Sequence, residues 1–221
     1  MILDRFYPIV DSAAWVRRLV DVGARLIQLR VKDKDEAAIV AETQAALSLC
    51  RTAGAQLIVN DYWRIAIDVG ADFVHLGQGD LDDADILAIR ARGLRLGVST
   101  HDEAELERAL ALAPDYIALG PIYPTILKAM PFAPQGLARI GDWKRRIGGI
   151  PLVAIGGLSV ERAKLCLAAG ADSAGTRVVR ARSAAHRRHP LRAPAGPPTR
   201  APAARRAFPR AARHQTRALR P

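Results

Sequence analysis

The chain has 221 residues and is 50% hydrophobic, enough to bury one substantial core in one domain. Its net charge of +11 suggests a nucleic-acid binder until it is located: residues 175–221 hold 13 Arg and no Lys, Asp or Glu, leaving 20 basic and 22 acidic residues in the rest. A near-neutral body with a basic appendage is not a basic domain. No apolar run is long enough to span a membrane.

The first strand is predicted at Phe6–Val10, after an N-terminus without a secretory signal pattern. A helix follows from about Ser12 to Val22 and ends at Gly23-Ala24. Strands at Leu26–Leu29, Gln56–Val59, Phe73–Leu76, Leu94–Val98, Tyr116–Leu119 and Leu152–Ile155 then alternate with helices. Those helices are predicted at about Lys34–Thr52, Tyr62–Val69, Asp82–Ala91, His101–Leu112, Gly136–Arg146 and Ser159–Ala169. The alternation predicts an α/β fold of parallel βαβ units, and the number of units favours a TIM-type (βα)8 barrel over an open sheet. A doubly wound fold more often has a glycine-rich turn after its first strand, where this chain has Asp11-Ser12-Ala13. Between Gly120 and Gln135 lies a loop long enough to be a lid or binding loop.

After Ser173 the pattern fails. Gly175–Arg180 gives only a weak eighth strand, and half of the 14 prolines lie after residue 189. The expectation is a barrel over 1–174 with its eighth unit degraded or missing, followed by a disordered Arg/Pro/Ala tail over 175–221. An open ring and a weak or inactive protein follow from that reading. Cys50 and Cys166 fall on helices without paired spacing, so they read as buried thiols of a reducing, cytoplasmic compartment.

Chemistry in such folds gathers at the carboxyl ends of the strands. There Gln28, Arg30 and Lys32 alternate, which on a strand aims all three at one face, inward at a barrel mouth, where an anion would balance them. Asn60-Asp61 closes the third strand and Asp80 follows the fourth. The two carboxylates are either helix caps or a pair for a hard cation such as Mg2+, which commonly takes one or two carboxylates plus phosphate oxygens. Ser99 is a phosphate donor or part of a helix cap, and His75 reads as a hydrogen-bonded core histidine. Lys128 on the long loop is a point charge suited to phosphate. The Gly156-Gly157 turn opens a helix N-terminus of the kind that binds phosphate.

Together these pieces resemble the thiamine-phosphate synthase family over residues 6–174. They are Gln28-x-Arg30-x-Lys32, Asn60-Asp61, His75-Leu-Gly-Gln-x-Asp80, Gly97-x-Ser99-x-His101, Gly120-Pro-x-x-x-Thr125-x-x-Lys128 and Ala154-Ile-Gly-Gly157. The resemblance implies that Gln28, Arg30, Lys32, Asn60, Ser99 and Lys128 hold a pyrimidine diphosphate, with Mg2+ on Asp61 and Asp80. It implies that Thr125 and Gly157 hold a thiazole phosphate, and that Arg30, Lys32 and Lys128 stabilise the departing diphosphate. Its partners are these two small molecules, with no specific nucleic acid and no membrane, and a homo-oligomer left open. The family often has Thr where this chain has Leu127, and its last βα unit is replaced here by the Arg-rich tail, which looks like a shifted reading frame. Two other classes remain at this point: a thiazole tautomerase-like barrel without synthase activity, and a non-enzymatic binder of anionic surfaces acting through the tail.

Overall fold

A computed structural model describes residues 3–125 and 132–178. Within them, eight parallel strands close into a barrel in sequence order. They are β1 (Phe6–Val10), β2 (Leu26–Leu29), β3 (Gln56–Asn60), β4 (Phe73–Leu76), β5 (Arg95–Thr100), β6 (Tyr116–Leu119), β7 (Leu152–Ile155) and β8 (Ser173–Arg177). The helices are α1 (Ala13–Asp21), α2 (Glu36–Ala53), α3 (Trp63–Asp68), α4 (Ile86–Ala91), α5 (Glu103–Ala111), α6 (Gly136–Ile147) and α7 (Val160–Ala168).

The strands are short and apolar because both faces are covered. Tyr7, Leu26, Ile58, Phe73, Tyr116 and Val153 form the inner cluster. On the outer side, Ile27, Leu57 and Val74 pack with Ile39, Leu47 and Ile89 from the helices, while Ile117 and Leu152 pack with Ile140, Trp143 and Cys166. The helix ends follow local chemistry. Asp35 caps α2 by accepting from the Ala38 N–H. Gly54 ends that helix in the left-handed region at φ 65°, where a side chain is disfavoured. Burial pushes the thiols of Cys50 and Cys166 up to about 11, so both are neutral at physiological pH.

Two expectations are corrected. The ring is closed, not open: β8 pairs with β1 from Phe6↔Ala174 to Ile9↔Arg177 and with β7 from Val153↔Ser173 to Ile155↔Gly175. The strand starts two residues before the weak candidate at 175–180 and crosses the boundary drawn between 174 and 175. Its buried part is Ser173-Ala174-Gly175, so the basic residues do not enter the core. The interior needs no side chain there, because a Cβ on Gly175 would lie 2.7 Å from Ile155. Residues beyond 178, which make up the rest of the tail predicted over 175–221, lie outside the described residues.

The second correction concerns the helix predicted at 82–91. It is split into a 3-10 turn over Asp80–Asp82 and the short α4, because the Asp85 side chain accepts from the Ala88 N–H and starts a new helix.

Candidate active site at the barrel mouth

The carboxyl ends of β2 to β5 carry most of the residues singled out in the sequence. β2 ends at Leu29, so only Gln28 of the basic triplet is on the strand. It is buried and points inward, its Nε2 donating to the Tyr7 hydroxyl at 2.9 Å. Arg30 continues the ladder through its N–H to the Val10 carbonyl at 2.7 Å. Lys32 turns back over the mouth, forms an ion pair with Asp61 and lies 5.8 Å from the centre of the Tyr62 ring.

Asn60 and Asp61 end β3. Asp61 sits at φ 65°, a conformation that aspartate tolerates better than most residues. Its N–H donates to the His75 carbonyl at 2.9 Å, which ties this turn to β4. The capping alternative is settled for both carboxylates. The residue preceding α3 is Tyr62, no side chain caps that helix, and Asp61 faces Lys32 instead. Asp80 accepts from the Gly77 N–H at 3.0 Å, within its own turn, while Asp85 caps α4. Burial, followed by the neighbouring Asp61 charge, holds the Asp80 carboxyl above its usual range.

Two facing carboxylates that repel one another and have a lysine at their edge form a donor set that a hard divalent cation fits. Asn60 adds an orphan donor, because its Nδ2 is buried without a hydrogen-bond partner among the described residues. That suits an oxygen on a bound ligand, since a buried amide nitrogen without an acceptor is costly. No cluster of three or more His, Cys, Asp or Glu side chains suited to a metal occurs among the described residues, so protein alone supplies at most a partial shell here.

Ser99 belongs to β5, which runs on through Thr100, and the cap of α5 is Asp102. The Ser99 Oγ lies 2.8 Å from His75 Nε2. His75 is the hydrogen-bonded core histidine expected, with Tyr116 on its other nitrogen at 2.6 Å. Burial pushes it down to about 4, with Asp61 opposing and Arg30 reinforcing, so it is neutral at pH 7. Burial likewise raises the phenols of Tyr7 and Tyr116, and both keep their protons.

The ends of β6 and β7 form the other side of the mouth. The loop after β6 is tied at its base, where the Gln135 and Gly136 N–H groups donate to the Pro121 and Ile122 carbonyls at 2.8 and 3.1 Å. At its far side His101 bonds Glu105 at 2.6 Å and stacks on Phe132 with ring centres 4.5 Å apart. Gly157, at φ 68°, lies so close to this loop that a Cβ would come within 2.6 Å of the Tyr123 and Pro124 carbonyls. Thr125 is the next residue along, which brings the two expected thiazole-phosphate residues onto one rim. Lys128 and Leu127 lie outside the described residues.

Tyr7 and Tyr116 are absent from the expected set. Both are buried inside the barrel and meet through their hydroxyls at 2.8 Å, linking Gln28 to His75.

The family profile described as thiamine monophosphate synthase matches residues 4–180. A thiamine-phosphate synthase of Rhizobium etli is 62% identical over 174 residues, covering 79% of this chain and 85% of that protein. One from Salmonella choleraesuis is 54% identical over 167 residues, covering 76% and 79%. Among solved structures, the thiamine phosphate pyrophosphorylase from Pyrococcus furiosus superposes with a TM-score of 0.67 at 28% identity, covering 78% of this chain and 85% of that one.

Proposed function

The chain belongs to the thiamine monophosphate synthase family, and from that premise we propose that it is a transferase of thiamine biosynthesis. It joins 4-amino-5-hydroxymethyl-2-methylpyrimidine diphosphate to 4-methyl-5-(2-phosphooxyethyl)thiazole and releases diphosphate. The observation that carries the reading is the Asp61–Asp80 carboxylate pair beside Lys32 at the barrel mouth, with Arg30 just past the end of β2. A diphosphate carries more negative charge than two basic side chains balance, and a divalent cation held by the two carboxylates would supply the remainder.

In this reading Gln28, Asn60 and Ser99 orient the pyrimidine diphosphate, with the Asn60 Nδ2 given the acceptor it lacks. The bond from the pyrimidine methylene carbon to the diphosphate oxygen breaks, and its electron pair leaves with the diphosphate. Arg30, Lys32 and Lys128 meet that charge as it develops. Mg2+, held by Asp61 and Asp80, would supply further neutralisation of the phosphate oxygens. The electron-rich aminopyrimidine carries the positive charge on its methylene until the thiazole nitrogen attacks with its lone pair. That step needs no general base. It agrees with a mouth in which His75 is neutral and already holds a hydrogen bond at each ring nitrogen. Gly157 and Thr125 hold the thiazole phosphate on the opposite rim, and the reaction is assigned to the cytoplasm. No helix among the described residues is long and apolar enough to cross a membrane.

The test is product analysis with the full 221-residue chain. Given both substrates and Mg2+, it is expected to form thiamine phosphate and diphosphate in equal amounts, and neither product when one substrate is withheld. Closure of the ring removes the open barrel as a reason for expecting a weak enzyme. Diphosphate without thiamine phosphate, or no product from a cooperatively folded chain, would overturn the assignment.

A further inference from the structure

Four hydrogen bonds run in one line across the barrel interior, from Gln28 on β2 to Ser99 on β5. Gln28 Nε2 meets the Tyr7 hydroxyl at 2.9 Å, and the Tyr7 hydroxyl meets that of Tyr116 at 2.8 Å. The Tyr116 hydroxyl meets His75 Nδ1 at 2.6 Å, and His75 Nε2 meets Ser99 Oγ at 2.8 Å. Gly97 makes room for the centre of the line, since a Cβ there would lie 2.2 Å from the Tyr116 ring.

The donors and acceptors allow only one order of protons. An amide nitrogen donates and does not accept, so the Tyr7 oxygen receives the Gln28 proton and its own proton must go to Tyr116. Tyr116, with its oxygen engaged, gives its single proton to His75 Nδ1. That nitrogen is therefore bare, and the imidazole proton sits on Nε2, where it is donated to Ser99 Oγ. Run the other way, the line would aim the Tyr7 proton at a nitrogen that cannot take it, a buried donor without an acceptor. Ser99 is half-buried, and no protein group among the described residues accepts its own proton, which leaves that proton for a ligand.

We infer that Tyr7, Tyr116 and His75 are positioning residues that fix the Ser99 hydroxyl as a donor, making this part of the mouth favour a ligand lone pair. The identity of that ligand, the pyrimidine diphosphate, rests on the functional reading above; the proton order does not. Tyr116 is the critical member because it alone touches both the phenol and the imidazole. Losing its hydroxyl frees His75 to accept from Ser99, which would withdraw the donor from the ligand.

The order is read directly from nitrogen NMR of the full chain labelled in histidine, with the His75 signal identified by its loss in His75→Gln. The expected result is one tautomer, protonated at Nε2 and bare at Nδ1, giving way to a mixture in Tyr116→Phe. Kinetically, Tyr116→Phe is expected to lose about tenfold in kcat/KM for the pyrimidine diphosphate, the worth of one hydrogen bond, with KM for the thiazole phosphate unchanged. Tyr7→Phe should lose less. The double variant Tyr116→Phe with Ser99→Ala should be no slower than Ser99→Ala alone, because the tyrosine acts only through the serine. A proton on Nδ1 in the wild-type chain, or losses that multiply in the double variant, would overturn the inference. If Tyr116→Phe fails to fold, the wild-type tautomer still decides. If the wild-type chain folds but shows no synthase turnover, the functional reading fails while the tautomer still reports the proton order.

Discussion

A chain ending at Ala171 is expected to lose cooperative unfolding altogether. It lacks β8, which closes the ring against both β1 and β7. Without it two strand edges lie open, and the inner cluster around Tyr7 and Val153 meets water. Loss of both ladders and of that burial is on the order of the whole stability of a domain, about 5–15 kcal/mol. Thermal unfolding followed by circular dichroism, against the 221-residue chain, is the check. A sharp transition at an unchanged temperature would show that β8 does not hold the barrel together.

Asp61→Asn and Asp80→Asn are expected to lower turnover by about a hundredfold to a thousandfold, in the range seen when a charge-stabilising group is removed from an active site. Stability should move the other way. The Asp80 carboxyl is held above its usual range, so the folded chain binds more protons than the unfolded one there. Without a cation, stability therefore falls as pH rises through that range. Asp80→Asn removes that dependence and keeps an oxygen for the Gly77 N–H, so its melting temperature at neutral pH should match or exceed that of the wild type. Asp61→Asn gives up the Lys32 ion pair as well, so its gain should be smaller. A stable variant with full turnover would remove that carboxylate from the mechanism, and a destabilised variant with full turnover would mark it as structural.

The fold was legible where apolar runs are bracketed by glycine. β4 and β7 begin and end where the sequence places them, between helix stops such as Gly70-Ala71 and the turns that follow. β5 runs on to Thr100, past the predicted end, because its pairing with β6 continues to Thr100↔Leu119, a partnership that local pattern does not encode. β8 was misjudged because Ser-Ala-Gly-Thr-Arg has no apolar run. It is a strand through its neighbours, and its smallness suits the crowded interior at Ile155.

At the mouth, the positions of Gln28, Asn60 and Asp61 were legible because they fall at or next to strand ends, and that of Asp80 because it lies in the turn after β4. The line through Tyr7 and Tyr116 was not, because it joins residues 109 apart and depends on the side chain that Gly97 lacks. Whether Asp61 and Asp80 were caps could be decided only by seeing α3 follow Tyr62 without a side-chain cap, Asp85 cap α4, and Asp80 accept from the Gly77 N–H instead.

The most direct measurement is a structure of the full chain bound to the pyrimidine diphosphate and Mg2+. The diphosphate is expected between Arg30 and Lys32 on one side and the Asp61–Asp80 pair on the other, with the metal on the two carboxylates. The pyrimidine should lie within hydrogen-bond reach of Gln28 and Ser99, and Asn60 Nδ2 should have gained an acceptor. A ligand bound away from this mouth, or a diphosphate seated in it with no metal on either aspartate, would contradict the mechanism.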